Sequence, residues 1–322
     1  MKIHRRWIGR VVLVSLMLPT GNRAVAETAE GSVDPTRDAT RILFIGNSFS
    51  TYNSMPLLVK TLMESADPSR QVVVGALIEA SCSLEKHWNT YGTQGWLDSS
   101  AAVDRPKSTL KTGPTDAEFW EDFQEVTWED RRKIKWDYVV LQSWDGDDKQ
   151  GTSSSFAKYS RRFAKRIQHH GARVVLFGHP RDLNPGPVAD PSRIELPEET
   201  ARFYHVLAGE LEAIVVPAFY VQALCQKRNP DLGLRWVKNF HPNQECMYLV
   251  ACTFYSALTG KSPHGADLQK VVYRPDQEVD YDGQPSSRIL RDDLATFLQT
   301  CAWDGVSAFR EAGAGKKEHE ER

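Results

Sequence analysis

The sequence is short of several features, and each shortage removes a class of protein. There is almost no net charge, −2 over 322 residues. Without a basic excess, neither nucleic acid nor an anionic membrane is expected as a partner. Cysteine is scarce: Cys82, Cys225, Cys246, Cys252 and Cys301, with no C-x-x-C pair. No His/Cys cluster has ligand spacing, so no metal centre is expected. Cys246 and Cys252 lie six apart in one helical segment, point to different faces and cannot bridge locally. One or two disulfides remain open to an exported chain. No internal repeat is visible, and no apolar run reaches the ~20 residues of a membrane span.

What is present begins with a leader. "MKIHRRWIGR" is basic, "VVLVSLMLPT" is apolar, and "AVA" at 24–26 is a small-x-small cleavage site. This order predicts a signal peptide over 1–26, cleaved after Ala26, and a secreted or periplasmic protein without stable membrane association. No Cys stands near the cleavage site, which argues against a lipoprotein. Residues 27–38 are polar and read as a disordered leader. At the other end "AGAGKKEHEER" has no core-forming content, so a charged tail is expected over 306–322. A single folded domain over 39–305 remains.

Within it, β-branched apolar runs alternate with amphipathic stretches. "RILFIG" (41–46), "VVVGALI" (72–78), "DYVVLQ" (137–142), "RVVLFG" (173–178) and "AIVVPA" (213–218) read as buried strands. Helices are expected near 54–66, 126–133, 155–170, 197–212 and 242–259, with a late helix inside 283–303 that closes near Gly305. The polar stretch 98–125 reads as a surface excursion. Strand–helix alternation predicts an α/β fold, a mostly parallel sheet with helices on both faces. Ligands of such sheets bind at the carboxyl ends of the strands.

Four stretches place chemistry there. "FIGNSF" puts Ser48 just past the first strand; Asn47 and Ser48 could also simply cap the next helix. "EASCSLEKHW" (79–88) follows the second strand. "WDYVVLQSWDGDD" (136–148) ends the third with Gln142. "NFHPNQECMYLVACTFYSALTG" (239–260) sets His241 before a helix, with Pro242 near its first position. A serine needs a base to become a nucleophile. A Ser, a His, backbone N–H groups and a side-chain amide are the parts acyl transfer requires.

In order and spacing these blocks resemble the SGNH (GDSL-like) hydrolase superfamily over roughly residues 39–262. The resemblance implies a flavodoxin-like three-layer α/β/α sandwich and an esterase needing no cofactor. It implies Ser48 as nucleophile and His241 as base. It implies an oxyanion hole from the Ser48 N–H, the Ser81 N–H and the Gln142 amide. "CSLEKHW" and "WDYVVLQ" look like a branch whose second block reads Gly-Gly-Cys-Ser-Leu and whose third carries Gln. Here Ala80-Ser81 stand where the family has Gly, and Gln142 where Asn is usual. Lys238 occupies the position of the triad Asp, three before His241. A weakened catalyst is the expectation, with Lys238 turned to solvent. A backbone carbonyl or a nearby carboxylate such as Glu245 would then orient the ring.

Other residues carry lesser expectations. His87 reads as a pocket wall or a support behind it. His179, together with Arg181, could line the cleft, although a strand-end His is more often a loop residue. His169 and His170 suit a helix carboxyl end. Asp145, Asp147 and Asp148 read as a solvated turn before they read as a cation site. The substrate expected is a small-molecule or carbohydrate ester, short acyl groups on carbohydrate fitting an exported enzyme. The competing reading is a degenerate, non-catalytic binding protein on the same fold, and a hinged ligand-binding protein on an unrelated sheet is a third.

Overall fold

The first strand, β1 (Thr40–Gly46), is buried from Ile42 to Ile45. Ile42 and Phe44 join one apolar cluster, and Leu43 and Ile45 join another on the opposite side. A strand packed on both faces needs an unbroken apolar run, which is what "ILFI" supplies. The computed structural model describes residues 39–320, apart from 99, 101, 102, 114–122, 145–150, 152, 191, 193, 269 and 275, with side chains to 313. The expected signal peptide and leader, and Asp145, Asp147 and Asp148, lie outside the described residues.

β1 pairs in parallel with β2 (Val72–Ile78) on one side and β5 (Tyr138–Gln142) on the other. β6 (Arg173–Gly178) and β7 (Ile214–Pro217) continue the parallel sheet. β3 (Lys111–Thr112) and β4 (Gln124–Glu125) extend it antiparallel at the β2 edge. The order is β4-β3-β2-β1-β5-β6-β7. Its parallel part runs as the flavodoxin-like order, in which the chain reverses direction between β1 and β5 and leaves a crevice at their carboxyl ends.

Helices cover both faces. Against Ile42 and Phe44 pack α2 (Met55–Ala66), α6 (Ala218–Arg228), α7 (Gln244–Thr259) and α8 (Asp292–Glu320). Against Leu43 and Ile45 pack the short α3 (Leu84–Lys86), through Leu84, α4 (Ser155–His170) and α5 (Glu198–Leu211). An antiparallel pair, β8 (Lys270–Val272) and β9 (Ser287–Ile289), carries the loop between them toward the crevice. No described helix is long and apolar enough to cross a membrane.

Several expectations are corrected. The helix expected at 126–133 is a single 3₁₀ turn, Asp130–Lys133, because "VTWEDRRK" offers no apolar stripe to bury. The excursion over 98–125 contributes β3 and β4. α6 has no counterpart in the sequence reading: it is buried on nearly every side, which erases the 3.6-residue alternation. The late segment is β9 followed by α8, and α8 passes Gly305 to Glu320. Val306 and Phe309 are buried, so the tail expected from 306 begins as core-packed helix. All five cysteines are free, buried thiols, and the disulfides left open above are not formed.

Candidate active site

The chain leaves β1 through Gly46, where a Cβ would collide with the Gln142 side chain. Asn47 then caps α1 (Ser48–Thr51), its Oδ1 accepting the Phe49 N–H at 3.2 Å. Four residues cannot hold a helix by themselves. A buried amide lattice holds this one. Asn47 Nδ2 donates to the carbonyls of Cys82 at 3.2 Å and Ser143 at 3.4 Å. Gln142 Nε2 donates to Asn47 Oδ1 at 2.6 Å, and Gln142 Oε1 accepts from the Asn47 N–H at 3.3 Å and from the Ser50 hydroxyl. Asn47 thus ties together the loops leaving β1, β2 and β5.

The lattice corrects the role expected of Gln142. Its side chain is 1% exposed and its amide is committed to Asn47. The longer arm folds back as a fastener under Ser48 and is not presented to the cleft. His87 is likewise a support: it is fully buried, with Nε2 2.8 Å from the Gly46 carbonyl and Nδ1 3.0 Å from Thr93 Oγ1. A carbonyl only accepts, so Nε2 carries the proton and Nδ1 accepts from Thr93. Burial pushes the His87 imidazole down to about 4 against the opposing pull of the Gly46 bond. Above pH ~6.5 both folded and unfolded chains hold it neutral, and its contribution is complete. Below that the unfolded chain gains a proton that the folded one refuses. Stability is therefore expected to fall by about 3 kcal/mol between pH 6.5 and 4 on this account. Denaturant titrations at pH 7, 5.5 and 4 check it: in His87→Gln this part of the slope should vanish.

The base arrives from the far end of the sequence. Asn243 caps α7, its Oδ1 accepting the Cys246 N–H at 3.0 Å. Asn53 is buried in the left-handed region at φ 55°, and its Nδ2 donates to the Pro242 carbonyl at 3.2 Å. Asparagine tolerates that conformation better than most residues. This bond ties the α1 segment to the His241 loop. His241 Nε2 lies 2.9 Å from Ser48 Oγ, across 193 positions of sequence.

The group that orients the ring is neither Lys238 nor Glu245. His241 Nδ1 is 2.7 Å from Asn239 Oδ1, and the His241 backbone N–H donates to the same atom at 3.0 Å. A backbone N–H can only donate, so the amide oxygen must face the ring. Nδ1 then carries the proton, and Nε2 is left to accept from Ser48. Lys238 is exposed and contributes only its N–H, bound to Asp282 Oδ1 at 3.0 Å. Glu245 pairs with Arg288 at 2.8 Å.

An aromatic cluster encloses this arrangement. The His241 ring lies 4.0 Å from Tyr52, 4.1 Å from Phe240 and 5.2 Å from Phe49, centroid to centroid. The Tyr52 and Tyr281 hydroxyls are 3.0 Å apart. The Asn239 side chain also lies near both hydroxyls and pulls both phenols down slightly, while its Oδ1 faces His241. Burial first, then the Tyr281 contact, pushes the Tyr52 phenol up to about 12. Hydrogen bonds from Tyr52 and then Tyr273 draw Tyr281 down. Asp280 holds the Tyr281 loop, accepting from Arg288 at 2.8 Å and from the Trp236 indole at 3.3 Å. Tyr281→Phe keeps the ring and removes the hydroxyl that meets Tyr52 beside Asn239. Turnover should fall by roughly tenfold, the worth of one hydrogen bond, with KM and Tm unchanged. A shift in KM or Tm alone would make Tyr281 structural.

The backbone N–H groups of Ser48 and Ser81 face no protein acceptor among the described residues. Ser81 is exposed and sits at φ 49°, the left-handed region where glycine is the easier residue. The conformation that a glycine would give is thus kept by a serine. His179 is 1% exposed and packs its ring 4.7 Å from Phe49, with Nδ1 2.9 Å from Ser143 Oγ. It supports Phe49 from below and does not line the cleft. Asn239, Asn53, Tyr52 and Tyr281 were missed by the sequence reading. Only Asn239 left a trace, as a polar acceptor two positions before His241. Among the described residues no group of His, Cys, Asp and Glu could hold a metal ion.

Comparison with known proteins adds the fold alone. No family profile matches the chain, and no curated protein is a recognisable relative. Among solved structures, a DUF4886-family protein from Bacteroides uniformis superposes with a TM-score of 0.54 at 14% identity, over 84% of this chain and 95% of that one. A Parabacteroides merdae protein assigned to the GDSL-like lipases gives 0.42 at 15% identity, over 68% and 95%. A gut microbial diltiazem-metabolizing enzyme gives 0.38 at 12%, over 70% and 48%.

Proposed function

We propose that this protein is an exported serine hydrolase of the SGNH type, an esterase that removes O-acyl groups, with carbohydrate esters as the substrate class. The reading is carried by one observation, the line Ser48 Oγ–His241 Nε2 at 2.9 Å and His241 Nδ1–Asn239 Oδ1 at 2.7 Å. In this proposal Ser48 Oγ attacks the ester carbonyl while Nε2 takes its proton. The Ser48 and Ser81 N–H groups receive the negative oxygen. Nε2 returns the proton to the leaving alcohol, and an acyl-serine remains. Water, deprotonated by the same nitrogen, releases the acid.

The orienting group is a neutral amide, as in Cys-His-Asn arrangements. It fixes the tautomer as a carboxylate would, but stabilises the imidazolium less. The non-catalytic reading rested on Lys238, and Asn239 takes that support away. The proximity of Ser48 and His241 argues against a hinged binding protein. Incubation with 4-nitrophenyl acetate and a fluorophosphonate, followed by mass spectrometry, tests the reading: Ser48 should be the labelled residue. Export is part of the proposal, and rests on the basic–apolar–"AVA" order. Protein from the native host should begin near Glu27 on N-terminal sequencing, and an intact Met1 in cytoplasmic protein would contradict it.

A further inference from the structure

A cavity of about 270 Å³ lies beyond the carboxyl ends of β6 and β7, between the loop after β6 and α6. Gln222 and Gln226, one turn apart on α6, line it and are 5% and 4% exposed. Among the described residues, Gln222 Oε1 and Gln226 Nε2 have no hydrogen-bond partner. Other residues of α6, such as Val221 and Cys225, pack into the core. A buried carboxamide left unpaired destabilises the fold, and an apolar side chain of the same size would avoid that cost. Two such groups beside one cavity point to an occupant. Arg181 also lines the cavity and makes no hydrogen bond or ion pair among the described residues.

We propose that this cavity is a subsite for a neutral, hydroxyl-rich ring, a single sugar unit. Each sugar hydroxyl both donates and accepts, which suits one orphaned acceptor and one orphaned donor side by side. Asn184 and Thr200 add further polar groups to the wall, and Phe219 and Ala223 add apolar surface. An anion such as phosphate fits less well, because Asp182 and Glu195 stand beside Arg181 on the lining. The volume falls just below the roughly 300–1,000 Å³ of drug-sized sites, room for one ring and not for a chain.

A chain of contacts links the cavity to the candidate active site. Phe219 stacks on Tyr204 at 5.2 Å, Tyr204 donates to Ser143 Oγ at 3.2 Å, and Ser143 holds His179 beneath Phe49, the neighbour of Ser48. The loop on the cavity wall is also bonded to the segment before His241. Leu234 N–H reaches the Asn184 carbonyl and Arg235 Nε the Leu183 carbonyl, both at 2.9 Å. That the bound sugar carries the ester rests on the proposed esterase activity; the binding itself does not.

The test uses Ser48→Ala protein, so that nothing is turned over. It is titrated calorimetrically with the methyl β-D-pyranosides of xylose, glucose and galactose. At least one should bind, and the double variant Gln222→Met/Gln226→Met should weaken it roughly tenfold or more, the loss of one or two hydrogen bonds. The Tm of that variant should hold or rise, since two unpaired polar groups are removed. If it drops instead, Ala223→Leu, which fills the cavity without touching the amides, must abolish binding. Failure of all three sugars to bind, or binding that neither variant weakens, overturns the proposal. In the Ser48-containing protein, the double variant should leave 4-nitrophenyl acetate hydrolysis unchanged and raise KM for sugar acetates. If 4-nitrophenyl acetate is not hydrolysed at all, the esterase reading fails while the titration still decides the cavity.

Discussion

Ser48→Ala is expected to abolish fluorophosphonate labelling and to cut hydrolysis of 4-nitrophenyl acetate by about 10²-fold or more. The size follows from two known losses. Removing the nucleophile of a full triad costs about 2 × 10⁶ in turnover. Replacing the triad carboxylate by its amide costs about 10⁴. A Ser-His pair oriented by an amide should therefore start with roughly the quotient, about 200-fold, to lose. The fold should survive, because Ser48 is half-buried and its hydroxyl is bonded to His241. Equal melting curves with collapsed activity would separate chemistry from stability. Labelling that persists in Ser48→Ala would place the nucleophile elsewhere and end the proposed mechanism.

Asn239→Asp is expected to act in the opposite direction. The two side chains have the same shape, so Oδ1 can still accept from Nδ1 and from the His241 N–H. The second oxygen would face the Tyr52 and Tyr281 hydroxyls, which can turn to donate to it. A carboxylate there stabilises the imidazolium that forms when Ser48 loses its proton. Turnover should rise by at least tenfold, with ~10⁴ as the ceiling set by the amide-for-carboxylate loss in a serine protease. The acidic limb of the pH–rate profile should move to higher pH, because a nearby negative charge favours the protonated ring. Lys238→Asp serves as the control and should change little, since the Lys238 side chain is exposed and its N–H is the bonded group. A fall in turnover for Asn239→Asp would mean that the neutral amide is itself required. A gain for Lys238→Asp would return the orienting role to that position.

The parallel sheet, and the edge at which to look, are legible in the linear chain. Strands buried on both faces must be continuous apolar runs, and five such runs alternating with helices leave few topologies. Ser48 and His241 are legible there as partners too, because both follow or precede elements whose ends meet at one sheet edge. Helices with a solvent face were legible for the same reason, as in α4, where Phe156, Tyr159, Phe163 and Ile167 mark one buried stripe. α6 was illegible because burial on all sides removes the alternation that periodicity depends on. The tail beyond Gly305 was misread because its polar composition hides how Val306 and Phe309 reach the core.

Which side chains do what at the site emerges only in three dimensions. Gln142 and His87 carry functional groups that sequence cannot tell from cleft residues, yet their hydrogen bonds turn inward, to Asn47 and to Gly46. Asn239 stands one position away from where the triad acid was expected, and one position in a loop reverses which side chain meets the ring. Tyr281 meets Tyr52 across 229 positions, through a loop that Asp280 fixes. Strand and helix identity follows from local pattern, which a linear chain carries in full. The orientation of an amide, the tautomer of an imidazole and the partner of a hydroxyl depend on atoms a few ångströms apart in space and hundreds of residues apart in sequence, and those are fixed only when the chain has folded.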